Sequence, residues 1–227
     1  MSQTNVKSTP AEPGFKKACM RDRIRDALVE RILDGKYPAG TQLKELQLAR
    51  EFNVSQAPIR EALRELEGSG LVESERYRGT RVRGADAEEM MQSYELRTIL
   101  EARALELGMP YAPGIIAELD ESLRIMRTAA GKDTERYIHE SLLFHRRIVD
   151  ASGNRVFTTV WDSLHFDIRG RIALRRMMER GDRFGAMLDM HAELLERVRS
   201  REVIEAQRLL RGIFEAVARA FVPVAGS

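Results

Sequence analysis

The chain has 227 residues, and its 37 Lys and Arg against 35 Asp and Glu give a formal net charge of +2. This length allows two modest domains, and a single cysteine, Cys19, excludes an intrachain disulfide framework and a cysteine-rich zinc module. No apolar run approaches the roughly 20 residues of a membrane helix, and the start lacks the apolar core of a signal peptide. The sequence therefore predicts a soluble, cytoplasmic protein without a membrane partner.

The beginning of the chain predicts an arm followed by a helix. Residues 1–14 are polar and include two prolines, which is typical of a disordered arm. Residues 16–34 then place apolar side chains at helical spacing, and the helix is expected to end at Gly35. The turn residues Tyr37-Pro38-Ala39-Gly40 separate this helix from the next element. We place the start of the first folded domain at residue 15.

Two short amphipathic segments between Glu45 and Leu66 predict a helix-turn-helix. The first ends at the turn Asn53–Val54, and the second begins at Ser55, whose hydroxyl is placed to cap the first turn. Apolar residues recur on one face of the second segment, and the opposite face carries Gln56, Arg60 and Arg64. The second helix of such a unit enters the DNA major groove with its N-terminus first. These polar residues are therefore candidate DNA contacts.

The stretch after Gly68-Ser69-Gly70 predicts a β-hairpin rich in arginine. Its arginines are opposed only by Glu73 and Glu75; they are Arg76, Arg78, Arg81 and Arg83. Such a hairpin beside a recognition helix is typical of a wing that contacts DNA phosphates or the minor groove. Residues 15–84 therefore predict a winged helix-turn-helix DNA-binding domain. In agreement, residues 1–84 hold 16 Lys and Arg against 12 Asp and Glu.

After Gly84 the pattern changes to amphipathic helical blocks separated by turn residues. The six predicted helices span 87–107, 115–130, 134–151, 155–179, 184–199 and 202–221. Residues 85–227, with 21 Lys and Arg against 23 Asp and Glu, are thus predicted to form an all-helical antiparallel bundle for effector binding and dimerisation. The fold class is mainly α, with an N-terminal winged helix-turn-helix and its small β-hairpin wing. Gly84-Ala85-Asp86 is the expected hinge.

Six blocks of the first domain carry a family resemblance. They are Tyr37-Pro38-Ala39-Gly40-Thr41-Gln42-Leu43, Leu48-Ala49-Arg50-Glu51-Phe52, Val54-Ser55, Pro58-Ile59-Arg60-Glu61-Ala62-Leu63, Gly70-Leu71-Val72 and Arg78-Gly79-Thr80-Arg81-Val82. In this order they resemble the GntR family of bacterial repressors. The candidate DNA contacts are Arg50, Ser55, Gln56, Arg60, Arg64, Arg78, Gly79 and Arg81. Gln56 departs from the arginine common in the family, and glutamine prefers adenine. Dimeric proteins of this kind read two half-sites, so a homodimer on palindromic double-stranded operator DNA is expected.

The C-terminal part carries a second resemblance. Its residues are Glu95-Leu96-Arg97 with Glu101, Phe144-His145-Arg146, Ser152-Gly153-Asn154, His191, Glu205-Ala206 and Leu210-Arg211. They resemble the FCD effector domain of the FadR subfamily of GntR regulators. The resemblance implies a small organic-acid effector and a divalent metal held by one aspartate and three histidines. Here Ser141 stands at the aspartate position, His145 and His191 keep the middle positions, and Ile213 stands at the last.

Two of the four implied ligand positions are thus replaced, and hydroxyl and alkyl groups are poor substitutes for anionic or imidazole ligands. Three interpretations of His145 and His191 stay open: packed core histidines, direct contacts to an organic effector, or a weak transition-metal site. We expect little or no stoichiometric metal as a cofactor, and if a metal binds, these two histidines are its candidate ligands. The candidate effector contacts are Arg97, Ser141, His145 and His191.

Arg97 also has two interpretations. It lies on a predicted helix whose Leu96, Ile99 and Leu100 are expected to pack inward, and a buried guanidinium is a natural partner for an effector carboxylate. The alternative is an ion pair with Glu101, four residues later, on a solvated face. For His165, one turn after Trp161, aromatic packing in the core is favoured.

The sequence contains no phosphate-binding loop, dinucleotide fingerprint, nucleophile elbow or zinc-protease motif, so we predict that the protein is not an enzyme. The combined patterns predict a ligand-responsive transcriptional repressor whose DNA binding is released or modulated by a small organic acid. The alternative is a nonenzymatic metabolite- or metal-sensing protein with a weak DNA-binding head.

Overall fold

The computed structural model describes residues 20–75, 78–84, 86–179 and 184–221. The predicted arm, Arg76 and the middle residue of the expected hinge, Ala85, lie outside these ranges. The N-terminal domain, called the head below, comprises α1 (Met20–Leu33), β1 (Gln42–Leu43), α2 (Glu45–Phe52), α3 (Gln56–Gly68), β2 (Val72–Glu75) and β3 (Gly79–Val82).

The predicted helix-turn-helix is present in α2 and α3. The two helices are joined through Asn53, which has a left-handed backbone with φ of 53° and donates its N–H to the carbonyl of Arg50. The apolar face of α3 is buried against α1, through Ile59, Ala62, Leu63 and Leu66. Ser55 is the N-cap of α3, but its hydroxyl makes no capping hydrogen bond, so that detail of the prediction is wrong.

The wing belongs to a three-stranded antiparallel sheet with the order β1-β3-β2. In the predicted hairpin Val72 pairs with Val82, and Glu73 pairs with Arg81. The third strand, β1, pairs Gln42 with Arg81 on the other edge of β3. Two residues are too few to show the alternation that identifies a strand, which is why the sequence predicted a two-stranded hairpin.

The helical bundle contains one more α-helix than predicted within the described residues. Its helices are α4 (Ala87–Gly108), α5 (Pro113–Ala129), α6 (Thr134–Ala151), α7 (Arg155–Ser163), α8 (Phe166–Glu179), α9 (Phe184–Arg199) and α10 (Val203–Ala218), followed by a 3₁₀ turn at Arg219–Phe221. The single helix predicted over 155–179 is wrong, because His165 takes a left-handed φ of 51° and breaks it into α7 and α8.

The head and the bundle contact each other, since α1 packs against α8. Inside the bundle α6 lies against α4 and α5, and α10 lies against α4 and α9. The interior between α4, α6, α9 and α10 holds the candidate effector residues. Across the described ranges, no helix has both the length and the apolar character required to cross a bilayer.

Candidate functional site

The polar face of α3 is open to solvent, as expected for a recognition helix. The predicted contacts Ser55, Gln56, Arg60 and Arg64 are all exposed, as is Arg50 at the end of α2. Arg60 is held by Glu45 of α2, whose Oε2 accepts from Nη2 at 3.0 Å and from Nε at 3.2 Å. No local pattern in the sequence marks Glu45 as part of this surface. Its carboxylate orients the guanidinium while leaving Nη1 free to contact a base or a phosphate.

The wing arginines are exposed but already paired within the hairpin. Gly79 supplies the left-handed backbone of the turn, with φ of 81°. Arg81 lies 2.7 Å from Glu73 and 2.8 Å from Glu75, and Arg78 lies 3.1 Å from Glu75. Exposed ion pairs of this kind are weak, so a DNA phosphate can compete with either glutamate for the guanidinium.

The inward face of α4 carries charge. Its buried positions recur at helical spacing, at Met90, Tyr94, Arg97, Leu100, Glu101, Ala102, Ala104 and Leu105. Leu96 and Ile99, which were expected to pack inward, are instead 44% and 63% exposed, and only Leu100 of that set is buried. The expectation failed because Arg97 and Glu101, which neutralise each other, take the inward positions.

Arg97 and Glu101 form a buried ion pair. Arg97 Nε donates to Glu101 Oε1 at 2.6 Å, and Trp161 Nε1 donates to the same oxygen at 3.2 Å. The pair exists, as one interpretation required, but in the interior and not on a solvated face. Burial alone would raise the pKa of the Glu101 carboxyl, yet the charges and hydrogen bonds of Arg97 and His145 together outweigh it and lower the pKa to about 2. Arg97 Nη2 has no hydrogen-bond partner among the described residues.

The two histidines continue this chain of polar contacts. His145 Nδ1 lies 2.9 Å from Glu101 Oε2, and His145 Nε2 lies 3.2 Å from His191 Nε2. His191 Nδ1 lies 2.6 Å from the carbonyl of Met187, so it carries the hydrogen and donates. Ser141 Oγ lies 3.4 Å from His191 Nε2. Burial, followed by the influence of His145, lowers the pKa of the His191 imidazole to about 3.

The four predicted effector residues therefore line one cavity, together with Tyr94, Leu174, Phe214 and other apolar side chains. The cavity measures about 10 Å³, which is near the lower limit for a single water molecule. An effector larger than water must displace side chains or helices to enter. Inside the cavity, Arg97 Nη2 is a hydrogen-bond donor that has no partner in the described part of the chain and that the effector could bind.

The donors around this cavity do not fit the metal that the resemblance implies. Ile213 is buried in the cavity wall at the position where a third imidazole is expected, and Ser141 offers only a hydroxyl. Glu101 faces the Nδ1 side of His145, away from His191. In the part of the chain that the structure describes, no three His, Cys, Asp or Glu side chains are grouped to hold an ion. Two neutral imidazoles do not offset the dehydration of a divalent cation.

His165 does not join Trp161 in the core, so the packing favoured for this pair is wrong. Trp161 packs on Phe166, whereas His165 faces the head, where its Nε2 lies 2.7 Å from the position that a Cβ on Gly68 would occupy. The left-handed backbone at His165 turns the side chain towards α3. No local pattern in the sequence indicates this contact.

Comparison with known proteins matches each of the two domains. The family model of bacterial regulatory proteins, gntR family, matches residues 20–82, and the FCD domain model matches residues 92–216. The chain is 30% identical to the Probable D-xylose utilization operon transcriptional repressor of Paenarthrobacter nicotinovorans, over 70% of each protein. It is 29% identical to the Gluconate operon transcriptional repressor of Bacillus licheniformis, over 89% of this chain and 84% of that protein.

Solved structures share the fold. A GntR transcriptional regulator from Rhodococcus sp. RHA1 superposes with a TM-score of 0.71 at 21% identity, over 88% of this chain and 96% of that one. E. coli McbR/YncC superposes with a TM-score of 0.70 at 20% identity, over 86% and 93%. At these identities the likeness concerns the fold alone.

Proposed function

The chain belongs to the GntR family of bacterial regulatory proteins and carries the FCD domain of the FadR subfamily, and from this premise we propose that it is a transcriptional repressor. It binds a palindromic operator as a homodimer and is released or modulated by a small organic acid bound inside the helical bundle. The proposal rests on one observation: the same chain contains an exposed recognition helix and a helical bundle with a buried polar cavity.

The head supports operator binding through the exposed face of α3 and the wing. Gln56 lies in the first turn of α3, the end that enters the major groove, and Arg60 follows one turn later. These residues read bases, while Arg78 and Arg81 on the wing contribute contacts to phosphates or the minor groove.

The outer face of α4 supports a homodimer. Four large hydrophobic side chains of this helix are exposed: Met91, Leu96, Ile99 and Leu107. An apolar stripe of this kind on a monomer is typical of a protein interface, and a two-fold axis beside α4 would place the stripe against its own copy. Two heads would then face two half-sites of the operator.

The bundle supports an anionic effector through Arg97. Glu101 occupies Nε, which leaves Nη2 available for one oxygen of a second carboxylate. The Ser141 hydroxyl can donate a further hydrogen bond to an effector oxygen, and the Nε2 atoms of the two histidines can accept hydrogen bonds from effector hydroxyl groups. The relatives regulate operons named for gluconate and for D-xylose utilisation, so sugar acids are the first carboxylates to test on this chain.

The deciding experiment is a thermal-shift screen of a carboxylate library, followed by operator gel shifts with the compounds that bind. The expected result is a compound that raises Tm in the wild type, does so much less in Arg97→Gln, and changes operator affinity. Arg124→Gln, on the outer surface of α5, is the matched control. A stabilising ligand with no operator binding under any condition favours a metabolite sensor and contradicts the repressor.

A further inference from the structure

Helix α8 presents two arginines to the head. Arg171 and Arg175 lie one turn apart on α8 and face three carboxylates spaced four residues apart, Asp26 and Glu30 of α1 and Asp34 in the turn that follows it. Arg175 lies 2.6 Å from Glu30 and 2.5 Å from Asp34. Arg171 contacts Glu30 directly and lies 3.8 Å from Asp26. We name these five residues the head latch.

The head latch is more than a chance set of surface pairs. Both arginines are half-buried, and both also approach Glu135 of α6, which lies 2.8 Å from Arg175. One guanidinium thus bridges the head and two helices of the bundle. A network in which each charge has several partners holds its geometry better than isolated exposed pairs. Its attraction remains sensitive to salt, because parts of the carboxylates are open to solvent.

The other side of α8 forms part of the effector cavity. Leu174, between the two latch arginines, lines that cavity. Gly170, which precedes Arg171, packs so closely that a Cβ at this position would overlap the side chain of Leu142 and lie 3.4 Å from Arg97 Nη1. No space therefore separates α8 from the guanidinium proposed to receive the effector.

We propose that α8 transmits occupancy of the effector cavity to the head by tightening or releasing the head latch. The chemical class of the effector is taken from the proposed function. The mechanical coupling between the cavity and the head does not depend on that function. The cavity of about 10 Å³ cannot accept a metabolite without movement of its walls. A movement of α8 at Gly170 also shifts Arg171 and Arg175, because one continuous helix carries all three residues. The head then loses its fixed orientation on the bundle.

Hydrogen exchange of the full chain, without operator or effector, tests the latch. The variant Arg171→Gln/Arg175→Gln is expected to lose amide protection in α1 already at about 0.05 M NaCl. The wild type is expected to lose the same protection only at about 1 M NaCl, because the Debye length there is about 3 Å and the ion pairs are screened. Arg127→Gln/Arg176→Gln removes the same charge from α5 and α8 without touching the latch, and it should behave as the wild type.

A second pair of variants tests the coupling without touching an ion pair. Gly170→Ala pushes α8 away from Leu142 and should lower protection in α1. Leu142→Ala added to Gly170→Ala removes the overlapping atoms and should restore protection. Unchanged exchange of α1 in Gly170→Ala, or in Arg171→Gln/Arg175→Gln, would overturn the proposal. An equal rise in exchange throughout α9 and α10 would also overturn it, since that reports unfolding of the bundle.

These results are independent of the repressor proposal. If the exchange experiments contradict the head latch, operator binding and effector binding can still be measured on the same protein and still test the repressor proposal. Failure to bind any operator leaves the exchange measurements valid.

Discussion

His145 and His191 contact each other directly, with their Nε2 atoms 3.2 Å apart in the interior of the bundle. Because His191 donates from Nδ1 to the Met187 carbonyl, its Nε2 is an acceptor. His145 donates from Nδ1 to the Glu101 carboxylate, so the Nε2 of this neutral ring is an acceptor too. A donor within reach of His191 Nε2 is the Ser141 hydroxyl, at 3.4 Å. The two Nε2 atoms thus meet, without a hydrogen between them, in the place where the resemblance implies a shared metal. This relationship leads to the first prediction.

Protein purified without chelator or a histidine tag is expected to carry little or no stoichiometric metal. The physical reason is the donor count, with Ser141 and Ile213 in place of two stronger ligands. Elemental analysis by mass spectrometry measures the content. Ser141→Asp/Ile213→His, which restores the implied ligand set, should gain metal and serves as the positive control. About one transition-metal ion per chain, lost in His145→Ala/His191→Ala, would contradict the prediction.

Stability is expected to fall on acidification because His191 is buried in the neutral form. The unfolded chain protonates this residue near its ordinary pKa of 6.5, whereas the folded chain does so only near 3. Below about pH 6.5 the unfolded state therefore binds more protons, and the free energy of unfolding falls. Glu101 adds a loss of the same sign at lower pH, since its pKa falls from 4.5 to about 2 on folding.

The pH prediction is checked by Tm measured from about pH 7.5 to pH 5. His191→Leu should show a smaller decline than the wild type across this range, even if it is less stable throughout. His139→Leu removes an exposed histidine of α6 and is the control, which should keep the wild-type decline. Equal declines in all three proteins would show that His191 is not the titrating group.

Arg60→Ala is expected to weaken specific operator binding by about 1–3 kcal/mol if Arg60 contacts a base edge. The loss should be larger for the operator than for unrelated DNA, because Glu45 orients the guanidinium for a defined contact. Binding isotherms at fixed salt measure both affinities. Arg208→Ala, an exposed arginine of α10, controls for net charge. Unaltered affinity and specificity in Arg60→Ala would show that Arg60 does not contact the bases of the operator.

Arg78→Ala/Arg81→Ala is expected to reduce the slope of log K against log salt by roughly one unit for each phosphate that the wing no longer binds. Relative preference among operator sequences should change little, since these contacts carry little base information. The slope is measured from operator affinity over a range of NaCl concentrations. An unaltered slope would show that the wing does not touch DNA phosphates.

Ile99→Glu is expected to convert the proposed homodimer to a monomer, because it places a charge in the exposed apolar stripe of α4. Analytical ultracentrifugation measures the oligomeric state. Ile204→Glu is the matched control, since Ile204 is 79% exposed on α10 and lies outside that stripe. A dimer that survives Ile99→Glu with unchanged affinity would place the interface elsewhere.

The sequence by itself determined the identity of most elements. Apolar residues at a spacing of three and four marked the helices, and turn residues such as Ser152-Gly153-Asn154 marked their ends, where Asn154 indeed caps α7. The winged helix-turn-helix could be predicted because its signals lie within one short stretch. The set Arg97, Ser141, His145 and His191 could be selected through the family resemblance, and these residues do converge on one cavity. Their role as effector contacts stays a prediction.

Only the tertiary structure decided which faces turn inward and which helices meet. Periodicity cannot place Arg97 inside and Ile99 outside, because a charge becomes tolerable in the interior only when Glu101 and Trp161 satisfy it there. The head latch joins Glu30 to Arg175 across 145 positions of sequence. Such contacts depend on how whole helices pack, so they cannot be predicted from local sequence patterns.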